Sequence, residues 1–77
     1  MGKFRPLDTK CWEKYLTLKG YQHKRTIGSH DQWTKVNHRT IPVWGNEKQI
    51  PAFHLKTGCA SIGCTMEALY KWADENC

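Results

Sequence analysis

The chain of 77 residues lacks several features that define common protein classes. No apolar run approaches the roughly 20 residues that cross a bilayer, and the amino terminus has no apolar segment of a secretory signal. The sequence contains neither the glycine pattern of a phosphate-binding loop nor the i,i+4 histidine spacing of common catalytic metal sites. We therefore expect a soluble, cytoplasmic protein that needs no cofactor and binds no metal.

Cysteine is present, but its spacing carries little information. Cys59 and Cys64 form a single C-x4-C pair, while Cys11 and Cys77 each stand alone. A zinc site and a disulfide are alternatives, although disulfide scaffolds belong mostly to secreted proteins. The sequence therefore favours four free thiols, with Cys77 the most exposed of them.

The whole chain has a formal net charge of +5, and its positive charge is concentrated in the first three quarters of the sequence. Residues 1–56 hold eleven of the twelve Lys and Arg residues against four acids, and residues 57–77 hold one Lys against three acids. A cationic body with an acidic end favours a polyanionic partner such as RNA. A solvated basic surface without a partner is the alternative.

The hydrophobic pattern predicts a single domain, residues 1–77, with a loose tail over residues 1–7. Asp8 is expected to cap a first helix that reaches Lys19, and Gly20 to end it. Period-two alternation from Tyr21 then predicts three strands, with Gly28-Ser29 as the first turn. The expected elements are a helix over 8–19, strands over 21–27, 30–37 and 39–44, and helices over 51–62 and from 65 onward.

This order, α-β-β-β-α-α, predicts an α+β fold in which helices cover one face of a three-stranded antiparallel sheet and leave the other face open. Most aromatic residues are expected in the core, and Phe53 on the second helix is one of them. Trp44, at a strand end, is the exception, since it could offer a flat surface for base stacking.

His30 is the strongest candidate for catalysis, because an imidazole can accept a proton near neutral pH. A base beside an RNA 2′-OH allows internal attack on the phosphate without a metal, and nearby cations would stabilise the developing charge. The expected phosphate-binding residues, which the open sheet face would bring near His30, are Lys24, Arg25, Ser29, Lys35 and Arg39. A solvent-facing turn histidine is the simpler alternative. The other three histidines are expected either to pack against neighbours, to contact RNA or to face solvent. They are His23, His38 and His54.

Three segments of the sequence together resemble a known family. The runs KGYQHKRTIGSHDQWTK, RTIPVWGNEKQIP and HLKTGCASIGCTMEALYKWA are similar to the HicA toxins of bacterial toxin–antitoxin pairs, over residues 10–72. Trp44 departs from the family, in which a histidine is common after Pro-Val. Ala60 also departs from it, replacing a second basic residue.

The resemblance implies a double-stranded-RNA-binding-domain-like fold and metal-independent endoribonuclease activity on mRNA. It implies that His30 is the catalytic residue and that a HicB-type antitoxin protein is the partner. A non-catalytic RNA-binding module of the same fold is the first alternative. A protein-interaction domain that uses its acidic end is the second.

Overall fold

The computed structural model describes residues 4–77 and has an α+β architecture. In chain order its elements are β1 Leu7–Asp8, α1 Thr9–Leu18, β2 Gln22–Ile27, β3 His30–Thr34, β4 Ile41–Val43, β5 Gln49–Ile50, α2 Ala52–Ile62 and α3 Met66–Asn76. The three helices and the antiparallel sheet, ordered β2-β3-β4, confirm the predicted class and order. The short pair β1–β5 is an addition that the sequence pattern did not predict.

The segment before α1 is part of the folded domain. Leu7 is buried and pairs with Ile50 in the β1–β5 ladder, and the Arg5 guanidinium lies 2.8 Å from the Asp74 carboxylate. The expected loose tail is therefore wrong for these residues, whereas residues 1–3 lie outside the described part of the chain. Asp8 precedes α1 as predicted, but its carboxylate makes no capping hydrogen bond to the helix.

A β-bulge interrupts the regular alternation that was predicted for β2. His23 pairs with Trp33 and Arg25 pairs with Gln32, so Lys24 is an extra residue on this strand. A bulge of this kind bends and twists an edge strand. All six residues of β2 are exposed, so the strand is not half-buried as the alternation predicted.

The core lies between the helices and one face of the sheet. From the sheet, Trp33, Ile41 and Val43 face it, which confirms that helices cover one side. The helices contribute Trp12, Tyr15, Leu16, Leu55, Leu69 and Tyr70. The expectation for Phe53 is wrong, because its side chain is 68% exposed. Trp12 and Tyr70 are buried as expected, and Trp72 packs against the core at its margin.

The ends of α2 and α3 follow the predicted signals. Pro51 directly precedes α2, and Gly63 ends it with a left-handed φ of 88°. Thr65 caps α3, where its hydroxyl accepts a hydrogen bond of 3.0 Å from the Ala68 N–H. Within residues 4–77, no helix combines the length and apolar character needed to cross a membrane.

A disulfide joins Cys11 in α1 to Cys77 after α3, which corrects the expectation of four free thiols. The helices α1 and α3 pack together and bring the two Cα atoms to 6.1 Å, within the range that disulfides span. The residues are 66 positions apart, so the sequence alone gave no sign of their contact. Cys59 and Cys64 remain free thiols, as expected.

Candidate RNA-binding site

His30 lies at the junction of the first hairpin and the open face of the sheet. The two-residue turn Gly28-Ser29 has a φ of 62° at Gly28, a conformation that glycine adopts without steric cost. His30 is the first residue of β3 and pairs with Ile27 across the hairpin. Its side chain is half-buried. The turn therefore holds His30 on a paired strand, one position beyond the loop.

Trp44 contacts His30 directly. Asp31 pairs with Val43 in the β3–β4 ladder, and the next step of this register places Trp44 opposite His30. The two rings meet edge to face, with centroids 4.4 Å apart and planes at 71°. Such a contact favours one orientation of the imidazole. The half-buried indole leaves part of its surface accessible beside the histidine.

His54 joins the same cluster from α2. Its ring centroid lies 4.5 Å from Trp44 and 4.2 Å from Phe53, which lies on the outer, exposed side. The Nδ1 atom of His54 is buried and has no hydrogen-bond partner among the described residues. The sequence does not indicate this contact, because His54 carries no motif and its approach to Trp44 depends on how α2 packs beside β4.

A groove of about 340 Å³ runs between the β4 side of the sheet and α2. Trp44, Pro42 and Arg39 form one side of it, and Phe53 and His54 lie on the other. The aromatic rings provide flat apolar surface and Arg39 provides positive charge. This combination suits an unstacked base with its attached phosphate.

Three of the other predicted phosphate-binding residues lie on the same hairpin as His30. Arg25 pairs with Gln32, two residues along β3 from His30, and strand alternation places all three on the open face. Ser29 is exposed in the adjoining turn, and Lys24 is exposed at the bulge. These residues lie on the hairpin that carries His30, so the structure brings part of the predicted set together.

Lys35 is the member of that set that the structure places elsewhere. It follows the far end of β3, about 17 Å from His30 at 3.4 Å per residue. Its ammonium donates a 2.8 Å hydrogen bond to the carbonyl of Lys19, where α1 ends. A cation at this position complements the negative end of the helix. The expected convergence of Lys35 with His30 is therefore wrong.

The opposite face of the sheet carries a separate polar cluster. His23 Nε2 lies 3.4 Å from the Asp31 carboxylate, and Thr26 donates a 2.5 Å hydrogen bond to the same carboxylate. Burial raises the pKa of the nearby Glu13 carboxyl, and the charge of Asp31 raises it further. His23 thus lies beside acids, on the side of the sheet that faces away from His30.

His38 is held by local contacts in the loop before β4. Its Nδ1 lies 2.9 Å from the carbonyl oxygen of Val36, and its ring meets Tyr21 edge-on at 6.0 Å. Asn37, beside it, has a left-handed φ of 64°, which fits the predicted turn. These contacts place His38 outside the Trp44 cluster.

Over residues 4–77, no group of three or more His, Cys, Asp or Glu side chains is arranged to hold a metal ion. Comparison of the chain with protein-family models, with curated proteins and with solved structures gives no match. The function of this protein is therefore proposed from the geometry of the site and from the sequence resemblance.

Proposed function

We propose that this protein is a HicA-like endoribonuclease toxin that binds and cleaves single-stranded mRNA in the cytoplasm, with His30 as its general base. The proposal includes a fold like that of double-stranded-RNA-binding domains. The observation that carries the proposal is the contact between His30 and Trp44, on the open sheet face of a basic domain. It joins a titratable imidazole to a surface on which a base can stack.

In this mechanism the chain's own side chains perform each step. His30 removes the proton from a 2′-OH, and the 2′-oxygen attacks the adjacent phosphorus. The bond to the 5′-oxygen breaks and this oxygen takes up a proton from water, which leaves a 2′,3′-cyclic phosphate and a 5′-hydroxyl. Arg25, on the same face, would stabilise the added negative charge, and the turn at Ser29 would hold a phosphate oxygen.

Trp44 would position both the RNA and the imidazole of His30. A nucleobase stacked on its free indole surface would gain about 1–3 kcal/mol, with little dependence on sequence. Its contact with His30 would hold the imidazole beside that nucleotide. A HicB-type antitoxin would inhibit the toxin by covering this face.

A non-catalytic RNA-binding module is the second candidate function. The groove beside α2 favours it, because Trp44, Phe53 and Arg39 suit base stacking and phosphate binding whether or not RNA is cut. A protein-interaction domain is the third. One of its acidic residues, Asp74, is already paired with Arg5.

Salt dependence of RNA binding tests the proposed interface. Fluorescence anisotropy of a labelled single-stranded RNA, measured over a range of salt concentrations, should show affinity that falls steeply as salt rises. Lys24→Met should reduce the slope of log affinity against log salt by about one, without loss of stability.

Lys35→Met is the matched control, since it removes the same charge from a lysine engaged with the end of α1. We expect it to leave the slope near that of the native protein and to lower stability by about 0.5–1.5 kcal/mol. Binding that does not change with salt, or equal slopes for native protein and Lys24→Met, would contradict the proposed interface.

A further inference from the structure

The turn that ends α2 brings two free cysteines together. Gly63 adopts a left-handed φ of 88°, and the chain folds back on the last turn of the helix. The main-chain N–H groups of Gly63 and Cys64 both donate to the carbonyl of Cys59, at 2.8 and 3.0 Å. The second of these hydrogen bonds holds the main chain of Cys64 against that of Cys59 and so places the two cysteines side by side.

The two cysteines lie close together but differ in accessibility. Cys59 is 2% exposed and belongs to the core, whereas Cys64 is half-buried at its margin. Burial raises the pKa of the Cys59 thiol to about 12, with a further contribution from the nearby Cys64. A reagent in solution therefore meets Cys64 first, because Cys59 is buried and its thiol stays protonated.

We propose that Cys59 and Cys64 form a redox-active dithiol that closes to a disulfide when Cys64 reacts with a small-molecule disulfide. This inference is independent of RNA cleavage, since it uses neither His30 nor the groove aromatics. It also differs from the Cys11–Cys77 link, which joins distant elements, because it would close a loop within one helix end.

The reaction proceeds in two exchange steps. The Cys64 thiolate attacks one sulfur of glutathione disulfide, which breaks the S–S bond, forms a mixed disulfide and releases one glutathione thiolate. The Cys59 thiol then gives up its proton to the released glutathione thiolate and attacks the Cys64 sulfur. The bond between Cys64 and glutathione breaks, and the second glutathione leaves as a thiolate. The two cysteines lose two electrons and two protons in total, and glutathione disulfide becomes two glutathione molecules.

The consequence would be a covalent clamp on the end of α2. This helix carries Gly58 and Ser61, which line the groove, and glycine weakens a helix interior. A disulfide between Cys59 and Cys64 would restrain the last turn and so the wall of the groove. The oxidised protein should therefore melt at a higher temperature than the reduced dithiol.

Peptide mass mapping after oxidation tests the proposal. The full-length protein is incubated with glutathione disulfide, its remaining thiols are alkylated in denaturant, and it is digested with trypsin. Cys59 and Cys64 fall in one tryptic peptide, residues 57–71, whereas Cys11 and Cys77 fall in two others. The expected product is peptide 57–71 lighter by two hydrogen atoms and not alkylated, with the Cys11–Cys77 pair of peptides still joined.

Two single variants separate the roles of the thiols. Cys59→Ser should accumulate a stable glutathione adduct on Cys64, because the resolving thiol is absent. Cys64→Ser should leave Cys59 unmodified in the folded protein, because it is buried. The proposal is overturned if native protein keeps a glutathione adduct on Cys64, if neither thiol reacts, or if peptide 57–71 becomes joined to the peptide of Cys11 or Cys77.

Discussion

The indole ring of Trp12 occupies the space that a side chain at position 58 would need. A Cβ built on Gly58 would lie 2.5 Å and 2.9 Å from two ring carbons of Trp12, closer than unbonded carbon atoms approach. Trp12 is 1% exposed in the centre of the core, so its ring has little room to move. The absence of a side chain at Gly58 therefore allows α1 and α2 to pack closely.

Gly58→Ala should destabilise the protein, although helix propensity alone predicts the reverse. Alanine would gain up to about 1 kcal/mol in a helix interior, but the clash with Trp12 should cost about 1–3 kcal/mol. Urea denaturation should show a lower midpoint for the variant. In a Trp12→Phe background the same change should cost less, because the smaller ring leaves space. A variant as stable as the native protein would contradict this packing.

Reduction of the Cys11–Cys77 disulfide should remove a large part of the stability. The two cysteines are 66 residues apart, and closing a loop of that length stabilises by about 4 kcal/mol in the chain-entropy model. Cys77→Ser should lower the denaturation midpoint to that of the reduced native protein, and a reductant should not lower it further. If reduction leaves the native midpoint unchanged, the link does not stabilise the fold.

Glu13 should make stability depend on pH in a defined direction. Burial and Asp31 raise its folded pKa above the ordinary value of 4.5, so the folded state holds the proton more tightly than the unfolded state. The resulting cost is absent below about 4.5 and grows as pH rises through the raised pKa. Glu13→Gln should therefore be more stable than native at neutral pH, by a margin that shrinks at acidic pH. An equal difference in stability between Glu13→Gln and the native protein at neutral and at acidic pH would contradict the raised pKa.

The element order was predictable because local signals agree with the final packing. Gly20 and Gly63 end helices with positive φ, Gly28 makes the hairpin turn, and Thr65 caps α3. Long-range features escaped prediction for a different reason. The Lys24 bulge depends on strand pairing, and the Cys11–Cys77 link depends on how the helices pack.

The candidate site was predictable only in part. His30 and its turn are adjacent in sequence, so the hairpin pattern was enough to place them together. His54 and Arg39 come to one groove only through the packing of α2 beside β4, which no local pattern reports. The position of Lys35 also escaped prediction, because its hydrogen bond to the end of α1 joins residues 16 positions apart.

Incubation of purified protein with mRNA in EDTA tests the central claim most directly, with native protein, His30→Ala and His38→Ala compared. His38 is the matched control, because it lies outside the Trp44 cluster. We predict that native protein and His38→Ala cleave and leave 2′,3′-cyclic phosphate ends, while His30→Ala leaves RNA intact but keeps its circular dichroism spectrum and RNA affinity. Cleavage by His30→Ala at the native rate, or intact RNA with all three proteins, would contradict the account.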